Sequence, residues 1–138
     1  MNVTNRWQER LENLGKAYEA LSRAVERVGD AKNDELVRAG IIQTYEFALE
    51  LSWKTLRDYL LSQGFVGLDS PKKVMRMGFA EGYIVDGEGW MVALDDRNLT
   101  VHTYKKELAE QIVADIASKY FDLVRDLFQR LKEESERG

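Results

Sequence analysis

The sequence predicts an all-α protein, an antiparallel up-and-down bundle of four to five helices. Two features of the 138 residues carry that prediction. Helix formers dominate and proline occurs only at Pro71, so little opposes helix formation. Three long stretches also place apolar residues at alternating spacings of three and four, the signature of a helix with one buried face. With 44% hydrophobic residues the chain is long enough to bury one core, and we expect one domain over residues 1–138.

The first helix is expected from Trp7, Leu11, Leu14, Tyr18, Leu21, Val25 and Val28, a narrow stripe with Glu, Arg and Lys between its members. It should stop in VGDAKND, where Gly29 suits a C-terminal cap and Asn33 or Asp34 can cap the next helix. Residues 34 to 63 form the longest predicted helix. Apolar side chains cover over half its circumference in IIQTYEFALELSWKTLRDYLL, which suits a central position or contact with a second copy.

SQGFVGLDS ends that helix, and Ser70-Pro71 then reads as N-cap plus first-turn proline for a short helix. Lys72, Lys73 and Arg76 make this the one dense basic run, either a solvated face or a phosphate contact. Four glycines between Gly78 and Gly89 predict a connector, after which Trp90 starts a further helical run, WMVALDDRNL. From Lys105 a terminal helix is expected, with Leu108, Ile112, Ile116, Tyr120, Leu123, Leu127 and Leu131 along one stripe.

Composition removes several chemistries. Cysteine is absent, which excludes disulfides, thiolate nucleophiles and cysteine-ligated metals. We expect no cofactor and no metal. The N-terminus is charged, and no window approaches the roughly 18 apolar residues of a membrane span, so the sequence predicts a cytoplasmic chain with no membrane partner. A net charge of -4 argues against a general polyanion-binding surface while leaving room for a local basic patch.

RNLTVHTY, residues 97 to 104, gathers Arg97, Asn98, the single histidine His102, and Tyr104. On an unbroken helix Arg97 and His102 would differ by about 140° in direction, whereas Arg97 and Tyr104 would nearly align. A helix end between Asn98 and Thr103, where β-branched and capping-prone residues cluster, could turn Arg97 and His102 into one cleft. There the guanidinium offers a fork for phosphate and the imidazole an acid or base near neutral pH. Metal-independent phosphodiester cleavage needs both, plus a second proton carrier: a second copy's motif, Tyr104, or Arg97 itself. Alternatively the segment binds nucleotide without cutting. In the structural reading, His102 satisfies a carbonyl at a helix junction and Arg97 pairs with Asp95, Asp96 or a helix end.

The chain resembles the nucleotidyltransferase substrate-binding protein family, a branch of the HEPN superfamily. The resemblance rests on RWQERLENL, on QTYEFALELSWKTLRDYL followed by QG, on the Pro71 helix, on GYIVDGEGW and on DRNLTVHTY. Arg97 and His102 match the superfamily's Arg-x4-His pattern, and Tyr104 extends it to Arg-x4-His-x-Tyr. The resemblance implies a HEPN-like bundle that forms a homodimer with two motifs facing a shared cleft. It implies a separately encoded minimal nucleotidyltransferase as partner, with this chain as the substrate-binding half, in a toxin-antitoxin type of two-gene module. Relatives with the tyrosine form act as RNA-cleaving toxins that the partner neutralises by adenylylating that tyrosine. Mapped here, the pattern assigns phosphate binding to Arg97, positioning to Asn98, acid/base work to His102 and adenylyl acceptance to Tyr104. RNA or nucleotide would be the ligand. Lys54, on the family-like helix, could reach the cleft or be a bundle-surface lysine. A purely structural dimerisation module is the remaining alternative.

Overall fold

The computed structural model describes residues 3–97 and 105–137, with side chains for residues 6–96 and 105–137. Seven α-helical segments occur in the described residues: α1 (Val3–Val25), α2 (Val28–Ala31), α3 (Glu35–Ser62), α4 (Pro71–Ala80), α5 (Gly87–Arg97), α6 (Lys106–Asp115) and α7 (Phe121–Arg137). A π-helical turn, Ile116–Tyr120, joins α6 to α7 with helical backbone at both ends, so the two run on as one rod. The expected antiparallel bundle is formed by α1, α3, α4, α5 and this rod, with α2 an added single turn.

Helix α1 buries Trp7, Leu11, Leu14 and Leu21 against α3 and α7, and leaves Tyr18 and Val25 at the edge of the core, where Val28 of α2 joins them. Leu14 and Leu21 are fully buried, and truncating either to alanine would cost about 2–5 kcal/mol. The close approach of α1 to α7 uses Gly15, where a Cβ would sit 3.2 Å from the Phe128 ring. Tyr18 then stacks on Phe121 and Phe128, with centroids 5.6 and 5.4 Å away.

The first hairpin departs from expectation in one detail. Gly29 lies inside α2 and caps nothing, because the chain takes another helical turn after Val25, with the Asp30 amide donating to the Arg27 carbonyl at 2.9 Å. Of the two cap candidates it is Asp34 that works: its carboxylate accepts from the amides of Leu36 (3.0 Å) and Val37 (3.3 Å).

The ends of α3 and α4 follow from glycine. Gly64 and Gly82 take positive φ (94° and 83°), so Phe65 donates back to the Leu60 carbonyl and Tyr83 to that of Gly78. Both are Schellman endings, which a residue with a side chain enters at a steric cost. Helix α4 starts as predicted, with the Ser70 hydroxyl accepting from the Lys73 amide and Pro71 in the first turn. Gly78 lets it lie close to α3, since a Cβ there would stand 2.7 Å from Leu56 Cδ2.

The terminal stripe runs Ile112, Ile116, Tyr120, at spacings of four. In an α-helix each such step drifts about 40° around the axis. The π turn, closed by the Phe121 amide donating to the Ile116 carbonyl, takes up the drift and keeps all three buried together with Leu123, Leu127 and Leu131.

Candidate functional site

Helix α5 carries the start of the Arg97–Tyr104 segment, and its own start is set by a cap. The Asp86 carboxylate accepts from the Gly89 amide at 2.8 Å, so the helix begins at Gly87, three residues earlier than the apolar run suggested. Gly89 is needed there, because a Cβ would run into that carboxylate. One face of α5 then buries Trp90, Ala93 and Leu94, at helical spacings of three and four.

The last turn is held from two sides. Lys72 of α4 reaches Asp95 at 2.6 Å, an exposed pair worth well under 1 kcal/mol by itself. Asp96, half-buried, accepts a hydrogen bond from the Tyr120 hydroxyl in the π turn. The Tyr120 ring stacks on Tyr45 of α3, with centroids 5.4 Å apart and planes 20° from parallel. Three elements thus converge on the residue immediately before Arg97. Burial first, then the bond to Asp96 and the negative charges of Asp96 and Asp115, push the Tyr120 phenol well above its ordinary value of 10.0. It therefore stays a proton donor across neutral and mildly alkaline pH.

Asp95 and Asp96, the acids that the sequence offered to Arg97, are accordingly engaged by Lys72 and Tyr120. Asn98, His102 and Tyr104 lie outside the described residues, as does the side chain of Arg97, so their mutual geometry is not placed. What is placed is the frame: α5 reaches Arg97, and α6 starts at Lys106, two residues after Tyr104. Sequence reasoning missed the Asp96–Tyr120–Tyr45 column. Tyr120 was legible only as a stripe residue, because its hydroxyl partner is 24 positions away.

The two flanks of α5 differ in charge. On the α4 side lie Lys72, Lys73 and Arg76. Lys73 pairs with Asp69 at 2.9 Å, and Arg76 is exposed with no ion pair among the described residues. On the α7 side a cleft of about 480 Å³ is lined by Asp86, Glu88, Asp122, Asp126 and Lys119, with Tyr120 at its wall. That flank repels polyanions. Among the described residues no group of three or more His, Cys, Asp or Glu side chains could hold a metal. No helix there is long and apolar enough to cross a membrane. Lys54 pairs with Glu50 at 3.6 Å along α3 and lies 5.8 Å from the Trp53 ring centroid, which fits the surface reading.

Comparison with known proteins bears on the same segment. Residues 9–133 match the family described as nucleotidyltransferase substrate binding protein like. A Haemophilus influenzae protein named probable ribonuclease HepT is 31% identical over 116 residues, 75% of this chain and 79% of that protein. A solved Haemophilus influenzae structure, described as revealing the fold of a substrate binding domain of a nucleotidyltransferase, superposes with a TM-score of 0.76 at 28% identity. It covers 88% of this chain and 98% of its own. A crystal structure from Thermus thermophilus gives a TM-score of 0.65 at 31% identity, covering 80% of this chain and 98% of its own.

Proposed function

From the premise that the chain belongs to the nucleotidyltransferase substrate-binding protein-like family, we propose that it is the helical partner of a separately encoded minimal nucleotidyltransferase. In this reading two copies form a homodimer whose shared cleft receives RNA or nucleotide at Arg97, Asn98 and His102, within a toxin-antitoxin type of module. The observation that carries it is the extent of the family match, which runs through the whole of Arg97–Tyr104 with no motif residue missing. The charge difference across α5 supports an approach from the α4 flank, where Arg76 is exposed, and disfavours the acidic flank beside α7.

A second reading is favoured by one specific observation, the name of the Haemophilus relative. Here the chain is a metal-independent endoribonuclease. A base takes the proton of the ribose 2′-hydroxyl, whose oxygen attacks phosphorus. The bond to the 5′-oxygen breaks, and an acid returns a proton to that leaving group. Arg97 stabilises the charge that builds on the phosphoryl oxygens, and His102 supplies one of the two proton transfers. Adenylylation of Tyr104 would silence the site by placing a bulky anion where RNA phosphate binds.

Incubating the purified chain with RNA separates the readings. Products ending in 2′,3′-cyclic phosphate, abolished by His102→Ala in a protein of unchanged melting temperature, identify the nuclease. Intact RNA with saturable nucleotide binding, lost in Arg97→Ala, identifies the binding subunit. Neither result leaves only a structural dimerisation module. With ATP, magnesium and the transferase present, an adenylate added at Tyr104 is expected under the nuclease reading, and an unmodified Tyr104 counts against it.

A further inference from the structure

Arg38, in the first turns of α3, is a buried residue at 8% exposure, yet no carboxylate lies within 4.0 Å of its guanidinium among the described residues. Its Nη1 donates to the carbonyls of Ala31 (2.8 Å) and Lys32 (3.3 Å), which end α2. Those two bonds use one corner of the fork and fix its orientation. The Nε and Nη2 donors have no acceptor among the described residues, and neither is sealed from solvent. They belong to a side chain that lines a cavity of about 220 Å³ between the α2–α3 corner and α6, walled by Lys32, Glu110, Val113 and Ala114.

A buried cation without a counter-charge is costly, and the unused edge of an arginine fork is the shape that accepts two oxygens of one oxyanion side by side. Lys32 adds a second positive charge at the same wall. Glu110 opposes it but faces Lys106 at 3.8 Å along α6, so the cavity keeps a positive balance. We propose that this cavity is a binding site for a phosphoryl group, held bidentately by Arg38 and neutralised by Lys32. Two cationic residues lining one hollow favour a phosphoryl group over a singly charged carboxylate. The described lining residues belong to α2, α3, α6 and the corner between α2 and α3, and the proposal does not rest on how Arg97–Tyr104 functions.

The test follows the Arg38 Nε–H resonance in proton–nitrogen spectra at constant ionic strength, titrating inorganic phosphate, AMP and acetate separately. Phosphate or AMP should move that resonance saturably at millimolar concentration or below. Saturation by AMP well below phosphate identifies a nucleotide as the source, and equal saturation identifies free phosphate; either supports the site. Lys32→Met should weaken the response about tenfold, the loss of one charge-assisted contact, and Ala114→Leu, at an exposed position on the rim, should abolish it by filling the hollow. An Arg38 resonance that ignores phosphate and AMP overturns the proposal, as does one that responds equally to acetate. A response unchanged in both variants overturns it too.

Discussion

The hydroxyl of Tyr120 donates to the carboxylate of Asp96, and so ties the π turn of the terminal rod to the last turn of α5, one residue before Arg97. The π turn makes the contact available by swinging Tyr120 back onto the buried face, where Tyr45 stacks beneath it. Whatever Arg97 does, the backbone that presents it is positioned by this bond and by the weaker Lys72–Asp95 pair.

Replacing Tyr120 by phenylalanine keeps the stack on Tyr45 and removes only the hydroxyl. Asp96, half-buried, then loses its donor. The expected cost is about 1–2 kcal/mol, or roughly 3–7 °C in melting temperature for a chain of this size. Under the proposed function the same variant binds RNA or nucleotide more weakly, because the turn carrying Arg97 is less well held. Thermal unfolding and a binding titration measure the two effects separately.

Stability should fall in alkali. Tyr59 and Tyr120 both have phenols pushed above the ordinary value of 10.0, each by burial first, then by a hydrogen bond to Tyr83 or Asp96 and by neighbouring negative charge. The native state therefore keeps protons that the unfolded chain releases above about pH 10. Their contribution is fully present below that pH and is lost as pH rises beyond it, with a limiting slope of about 1.4 kcal/mol per pH unit for each phenol. Denaturant titrations between pH 8 and 11 should show the decline, and Tyr59→Phe with Tyr120→Phe should flatten it.

The start of α5 offers a double-mutant cycle. Gly89→Ala places a Cβ against the Asp86 carboxylate that caps the helix, and Asp86→Ala removes the cap. Each single change is expected to cost about 1–2 kcal/mol. Since both act through one contact, the pair should cost far less than the sum. Additive losses in urea unfolding would show that the crowding at Gly89 involves some other group.

Buried charge at the far end of the bundle is a further test. Asp58, 1% exposed on α3, is ion-paired with Arg10 of α1 and lies 3.2 Å from Arg57. Asp58→Ala should cost about 2–4 kcal/mol, between the values for exposed and buried pairs because both arginines remain partly solvated. Arg10→Ala should cost less, because Arg57 stays on the carboxylate.

Arg76→Glu tests the direction of approach to the motif. On the proposed function it should weaken RNA binding for all sequences alike and reduce the salt slope by about one. Lys119→Glu, in the acidic cleft beside α7, should leave both unchanged. The reverse ranking would place the polyanion on the other flank.

Much of this molecule is legible in its sequence. The Asp34 and Ser70 caps, the glycines that end α3 and α4, and the bundle itself rest on signals spaced within one or two helical turns, so nearby residues determine them. The Arg97–Tyr104 motif is likewise a string of neighbours, and the family is readable from it. Only the tertiary structure decided which polar side chains end up buried, and with whom: Tyr120 with Asp96, Asp58 with Arg10, Arg38 with the carbonyls of α2. Apart from Arg38, these partners stand tens of positions apart and meet because helices pack at particular depths and rotations. A π turn that sequence periodicity did not announce sets one of those rotations.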